Sequence, residues 1–187
     1  EYNADVEYAD CACEGPLRDI QFEACTFMRC NFASARLENI SFIDCRMIDT
    51  DLSMAELAQA AFNGVVFERC RLRGVDWTRI NAGLLSWDFH DCVLDFGNFE
   101  GMKVKKAPFL KCSIEEATFD GADLREAVFS GSKLTRATFA NCDLRKADFR
   151  DTEDLALNLA QCRCDGLKLR LNDARATLQA HGLKVSA

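Results

Sequence analysis

Large apolar residues stand at every fifth position over most of this chain, a spacing that excludes the ordinary folds. One series runs Leu17, Phe22, Phe27, Phe32, Leu37, Phe42, Met47, Leu52, Leu57, Phe62, Phe67, Leu72, Trp77. A second runs Phe89, Leu94, Phe99, Val104, Phe109, Ile114, Phe119, Leu124, Phe129, Leu134, Phe139, Leu144, Phe149. Of the fourteen phenylalanines, only Phe96 falls outside both. A helix would repeat its apolar residues at i, i+3, i+4 and i+7, and a half-buried strand at every second residue. With the large residue as the centre i, position i−2 is mostly small, as at Cys25, Cys30, Ala35, Cys45, Ala55, Ala60, Ala117, Ala122 and Ala127, with Ile40 and Val65 in the same series. The remaining positions are mostly polar.

A small-x-large-x-x unit needs a sharp turn after every five residues, and four such units close a square. Coils of this kind stack through backbone hydrogen bonds at about 4.8 Å. The expected fold is therefore all-β, a four-sided β-helix with centres stacked along its axis. Phe22, Phe27, Phe32, Phe109, Phe119, Phe129, Phe139 and Phe149 form the expected core ladder. Each buried ring contributes about 2 kcal/mol before chain entropy is subtracted.

Three regions depart from the period and divide the chain. Residues 1–16 precede the array and are read as an N-terminal segment and cap. The array itself spans 17–170. Between Trp77 and Phe89 the register slips by two residues. Ala82 is a poor centre there, and Leu84, Leu85 and Trp87 crowd together, so a bulge, kink or short loop is expected near 78–88. After Phe149 the next centre falls on Asp154, which predicts an irregular corner before recovery at Leu159, Cys164 and Leu169. Residues 171–187 read as a cap: a helix from about Asn172 to His181, Gly182 as its C-cap, then a strand Leu183–Val185. Leu171, Ala174 and Leu178 share one helix face. With Leu183 and Val185 they are the residues expected to cover the end of the array or to pair with a second copy.

The eleven cysteines do not read as a disulfide or metal set. Cys25, Cys30, Cys45, Cys70, Cys92, Cys112, Cys142 and Cys162 occupy i−2 and act as small buried residues. Cys11-Ala-Cys13 and Cys162-Arg-Cys164 lack the spacing and the histidine partners of a zinc site. With only His90 and His181 available, no catalytic triad is in prospect, and there is no phosphate-binding glycine loop. No catalytic residue, metal or cofactor is expected, and the chain is read as a non-enzyme. No apolar run is long enough to span a membrane. The opening residues carry no apolar signal, the absence of an initial Met points to a processed chain, and the expected compartment is the cytoplasm.

Charge is unevenly spread. Residues 1–101 hold 18 acids and 8 bases, whereas 102–187 hold 12 acids and 15 bases. An acid-rich half does not neutralise phosphates, so direct nucleic-acid binding is not expected. It suits a partner with a basic groove.

The period resembles the pentapeptide-repeat family, whose consensus is A(D/N)LXX. Ala122–Glu126 and Cys142–Lys146 are near-consensus units. The resemblance implies a right-handed quadrilateral β-helix. Within the family, Ile20–Phe32, Val75–Arg79 and above all the ending from Asp173 to Val185 resemble the topoisomerase-protecting subgroup (the Qnr, MfpA, McbG and AlbG types), most closely the albicidin-resistance type. That resemblance implies a cytoplasmic homodimer joined through its C-terminal elements. It implies a DNA mimic that binds DNA gyrase, in some members topoisomerase IV, and guards it against quinolones or albicidin. The contact residues inferred from charge and from the register break are Asp44, Asp49, Asp51, Glu56, Asp76, Arg79 and Trp87. The alternative is a pentapeptide-repeat interaction module with a non-topoisomerase partner.

Overall fold

The computed structural model describes residues 1–180, 182 and 184. Each five-residue unit makes one short side of a coil, and each coil pairs in parallel with the next. Phe22 pairs with Phe42, and Phe42 with Phe62. Leu17 pairs with Leu37, and Phe27 with Met47, which pairs with Phe67. Isolated parallel bridges carry the same register up the rod, for example Asn98 with Thr118 and Thr118 with Thr138. The turn after most units uses residue i+2 in the left-handed region, as at Asp19, Asn39, Asp49 and Asn141 (φ between 52° and 55°). Asp and Asn tolerate that region better than most side chains, so polar residues collect at the corners. The result is the expected all-β right-handed quadrilateral β-helix, followed by one helix, α1 (Leu171–Ala180).

The expected core ladder is buried throughout. In the upper part, phenylalanines line two opposite sides. Phe67, Phe89, Phe109, Phe129 and Phe149 stack with centroids 4.9, 5.3, 4.9 and 4.5 Å apart. Phe99, Phe119 and Phe139 stack at 4.6 and 5.1 Å. The two columns meet edge to face, as between Phe109 and Phe119 at 5.8 Å and 87°, a preferred aromatic geometry. The i−2 sites lie against the wall. At Gly97 even a methyl would sit 2.9 Å from the Leu94 carbonyl oxygen and from Phe99 Cε2.

The array starts earlier than the period suggests. Tyr2–Ala4 pairs with Gln21–Glu23, and Glu7–Ala9 with Thr26–Met28. Residues 2–13 already form a coil with Tyr8 stacked on Phe27 at 4.9 Å. The period hides this because Asn3 and Cys13 are weak centres and Glu14-Gly15-Pro16 makes one step a residue short.

At the break, Phe67 pairs with Phe89, a step two residues longer than the regular one. Two 3-10 turns, Trp77–Arg79 and Ala82–Leu84, absorb the extra length, with Asp76 and Asn81 accepting from the N–H of Thr78 and Gly83. Ala82 is exposed, so the fifth-position series supplies no inward side chain there, while Leu85 packs, partly buried, against the core. Near the end of the array, Asp154 turns outward at φ 54° while Leu157 becomes buried. Bridges resume at Arg163 and Lys168. Gly182, at φ +79°, donates to the Gln179 carbonyl as a helix C-cap does. The expected strand residues Leu183 and Val185 lie outside the described residues.

Candidate interaction surface

With the core filled, chemistry resides on the outward positions, which stack into columns one coil apart. One corner column carries Asp10, Arg29, Asp49, Arg69, Asp91 and Lys111, alternating in sign. Arg29 donates to both Asp10 oxygens at 2.7 Å, and Arg69 to both Asp49 oxygens at 2.7 and 2.9 Å. A second pattern spans single centres in Asp-Leu-Arg or Asp-Phe-Arg. Arg125 grips Asp123 at 2.7 and 2.5 Å, Arg145 grips Asp143 at 2.8 and 2.6 Å, and Arg150 grips Asp148 at 3.0 and 2.8 Å. Residues i−1 and i+1 flank the inward centre on one outer side, so a bidentate fork closes across it.

These forks hold carboxyls below the ordinary aspartate value of 3.8. The Arg69 hydrogen bonds do so for Asp49, and those of Arg125, Arg145 and Arg150 for Asp123, Asp143 and Asp148. A depressed folded-state pKa gives stability that is present above the unfolded value and lost as pH falls through the folded one. The melting temperature is therefore expected to hold from pH 6 to about 4 and to decline below it. Scanning calorimetry across that range checks this; a flat or rising melting temperature on acidification would contradict it.

The charge-inferred contact residues do not gather on one side. Glu56 and Asp76 share one outer side, with Arg79 at its far corner. Asp51 lies on the preceding side, and Asp44 and Asp49 on two other corners. Several are engaged: Asp49 with Arg69, Asp51 with Arg71 at 3.2 Å, and Glu56 with Arg36 at 3.5 Å. Asp76 accepts from Thr78 and from Asn98 at 3.2 Å. Asp44 and Arg79 are exposed. Trp87 requires correction as a contact residue, because it is 3% exposed and turned into the core. Sequence reading placed it beside the break, crowded with Leu84 and Leu85 where Ala82 is a poor centre, and took it as an outward residue. The Asp-x-Arg forks were also missed, although Asp-Leu-Arg and Asp-Phe-Arg were legible signals.

The i−2 cysteines form columns too, one of them continuous across the break as Cys70, Cys92 and Cys112 between Thr50 and Ser132. Each points its hydroxyl or thiol at a carbonyl of the preceding coil: Thr50 to Phe27 at 3.3 Å, Cys70 to Met47 at 3.2 Å, Cys92 to Phe67 at 3.4 Å and Ser132 to Phe109 at 2.8 Å. Elsewhere burial pushes the Cys45 thiol up to about 11 and that of Cys142 up to about 12. These are packing groups with a weak donor, not nucleophiles. Among the described residues, no cluster of histidine, cysteine or carboxylate side chains is set to hold a metal ion. No helix among them is long and apolar enough to cross a membrane.

On α1, Leu171 is 82% exposed and Leu178 40%, whereas Thr177 faces the rod. Ala174 is partly buried. Leu183 and Val185, expected to join them in a dimer contact, lie outside the described residues.

Among solved structures, a trypsin-treated form of QnrB1, a plasmid-mediated fluoroquinolone resistance protein, is 22% identical, covers 100% of both chains and has a TM-score of 0.45. HetL, a pentapeptide repeat protein involved in heterocyst differentiation regulation from the cyanobacterium Nostoc sp. strain PCC 7120, is 17% identical over 91% of this chain and 86% of its own, with a TM-score of 0.49. A pentapeptide repeat protein from the Arabidopsis thaliana thylakoid lumen is 16% identical over 78% of this chain and 70% of its own, with a TM-score of 0.28. No curated protein matches the chain in sequence. The family description "Pentapeptide repeat region" matches residues 17–99, and "Pentapeptide repeats (8 copies)" matches residues 112–151. With the period, the fold and both matches in agreement, the chain belongs to the pentapeptide-repeat family.

Proposed function

We propose that this chain is a DNA-mimicking homodimer that binds DNA gyrase or topoisomerase IV. It would shield the enzyme from topoisomerase-poisoning antibiotics of the quinolone or albicidin kind, or modulate its activity, and would work in the cytoplasm. The observation that carries the reading is the ending. A repeat array needs no particular helix, yet α1 forms in the segment whose sequence resembles the topoisomerase-protecting subgroup, and it leaves Leu171 and Leu178 exposed. Seven residues apart, they lie on one helix side, a stripe suited to a second copy across a two-fold axis. The acid excess of residues 1–101 supplies the negative field that a basic groove attracts.

A second reading, an interaction module for another protein, is favoured by the arginine partners of Asp10, Asp49 and Asp51, which lower the net charge a groove would meet.

A gyrase supercoiling assay titrated with this protein, with and without a fluoroquinolone or albicidin, decides between them. The expected outcome is supercoiling restored in the presence of drug, or inhibited in its absence, by a particle whose mass from light scattering is twice 21.0 kDa. A flat response in both arms from a folded dimer would favour the second reading. A persistent monomer would remove the support drawn from α1.

A further inference from the structure

Phe96, the one phenylalanine outside the period, sits at a corner of the rod with φ 59° and is 44% exposed. Met54 occupies another corner with φ 57° and is 61% exposed. A bulky side chain in the left-handed region is an outlier that costs folding energy. The other positive-φ corners of the array hold Gly, Ala, Ser, Asp, Asn or longer polar side chains. Neither Met54 nor Phe96 joins the core cluster, so the hydrophobic core gains nothing from them.

Both lie in one column. Met54 N–H donates to the Arg73 carbonyl at 2.8 Å, and Gly74 N–H to that of Asp95 at 2.8 Å. Gly74 thus lies between them, and the two side chains stand about 10 Å apart, two coil spacings. The glycine leaves a notch into which Met54 leans, since a Cβ at Gly74 would sit 2.4 Å from Met54 Sδ. Arg73 lies over the Phe96 ring at 4.7 Å and steadies it. On the outer positions that adjoin this corner stand Asp76, Asp95 and Glu56, the last paired with Arg36 at 3.5 Å. Asp95 is held by the Ser113 hydroxyl at 2.6 Å and the Glu115 N–H at 3.0 Å, with no cation on it among the described residues.

We infer that Met54 and Phe96 are the apolar anchors of a docking surface for a protein that presents an apolar pocket within a basic groove. The inference rests on the topoisomerase reading for the partner's identity and names where on the rod that partner seats. An acidic rim meets the basic groove and steers the encounter, while a desolvated aromatic and a thioether supply the contact that holds it. A phosphate mimic alone would lose its affinity with added salt; anchors of this kind leave a contribution that salt does not screen.

The test is binding of purified DNA gyrase holoenzyme to the full chain and to Met54→Asn, Phe96→Asn and the double variant, at low and high salt. Asparagine already occupies such corners at Asn39 and Asn141 (φ 54° and 55°), so the variants should fold with unchanged or higher melting temperatures. Each substitution is expected to weaken binding roughly tenfold at both salt levels, with the salt dependence itself unchanged. Wild-type binding retained within twofold by the double variant would overturn the anchors and leave the topoisomerase reading standing. Absence of wild-type binding would overturn both.

Discussion

Replacing Phe109 by alanine is expected to lower the free energy of unfolding by about 3–5 kcal/mol, the range for a large aromatic removed from a core. The high end is favoured because the void cannot close. Phe109 is fully buried and lies between Phe89 and Phe129, at 5.3 and 4.9 Å, with Phe99 and Phe119 edge-on at 5.9 and 5.8 Å. Neighbouring coils are pinned at their spacing by the ladder, with Phe109 N–H donating to the Val128 carbonyl at 2.7 Å and Phe89 N–H to that of Pro108 at 3.0 Å. A globular core can shift a helix to fill a hole; stacked coils would have to break hydrogen bonds to do so. Phe32 makes the control. It lies near the first coil, is 7% exposed, and meets one ring, Phe27, at 5.8 Å. Phe32→Ala should cost clearly less, since the end of an array relaxes and frays before its middle. Urea unfolding of both variants checks the order. Equal losses, or a Phe109→Ala loss under about 1 kcal/mol, would contradict the pinned-coil account.

The fold was legible because its information is local. A centre such as Phe119 and its wall residue Ala117 lie two positions apart, and each unit repeats the pair, so inward positions can be read without knowing any long-range contact. The outward surface is different. Asp49 and Arg69 meet because they are one coil apart, and Asp44, Asp49 and Asp51 diverge because successive units face successive sides. Acids close in sequence are therefore spread around the rod. The residues 2–13 coil was hidden by weak centres, and the third member of the Cys70, Cys92 and Cys112 column by the two extra residues at the break. That Leu171 and Leu178 share one helix side followed from helical spacing alone; that this side is exposed did not. What seats against it is not written in one chain's pattern.

Trp87→Ala is expected to cost about 3–5 kcal/mol, whereas Trp77→Phe should cost within about 1 kcal/mol. Trp87 stands at i−2 of Phe89, pairing with Val65 on the coil below, a position that elsewhere holds nothing bulkier than Ile40 or Met102. It fits because Ala82, the regular centre, is exposed here, and the Trp87 ring lies against Phe62 at 6.3 Å and Phe89 at 5.2 Å. The break also moves the aromatic stacking to another side of the rod. Below it the rings run Phe22, Phe42, Phe62 at 5.4 and 5.3 Å; above it they run from Trp77 to Phe99 at 5.8 Å and on to Phe119. Trp77 and Trp87, 4.8 Å apart and at 78° to each other, fill the junction. Both indole N–H groups are buried and have no hydrogen-bond partner among the described residues, a condition that itself costs about 1–3 kcal/mol. Phenylalanine at 77 removes that unpartnered group while retaining a ring against Phe99, so the lost volume and the removed polar group offset each other. Alanine at 87 offers no such offset and leaves both half-rods facing a hole. Equilibrium unfolding of the two variants tests the account. A large loss for Trp77→Phe would mean that the indole N–H has a partner after all. A small loss for Trp87→Ala would mean that the break closes without the tryptophan, and that the extra length at 78–88 is not held in place by the core beneath it.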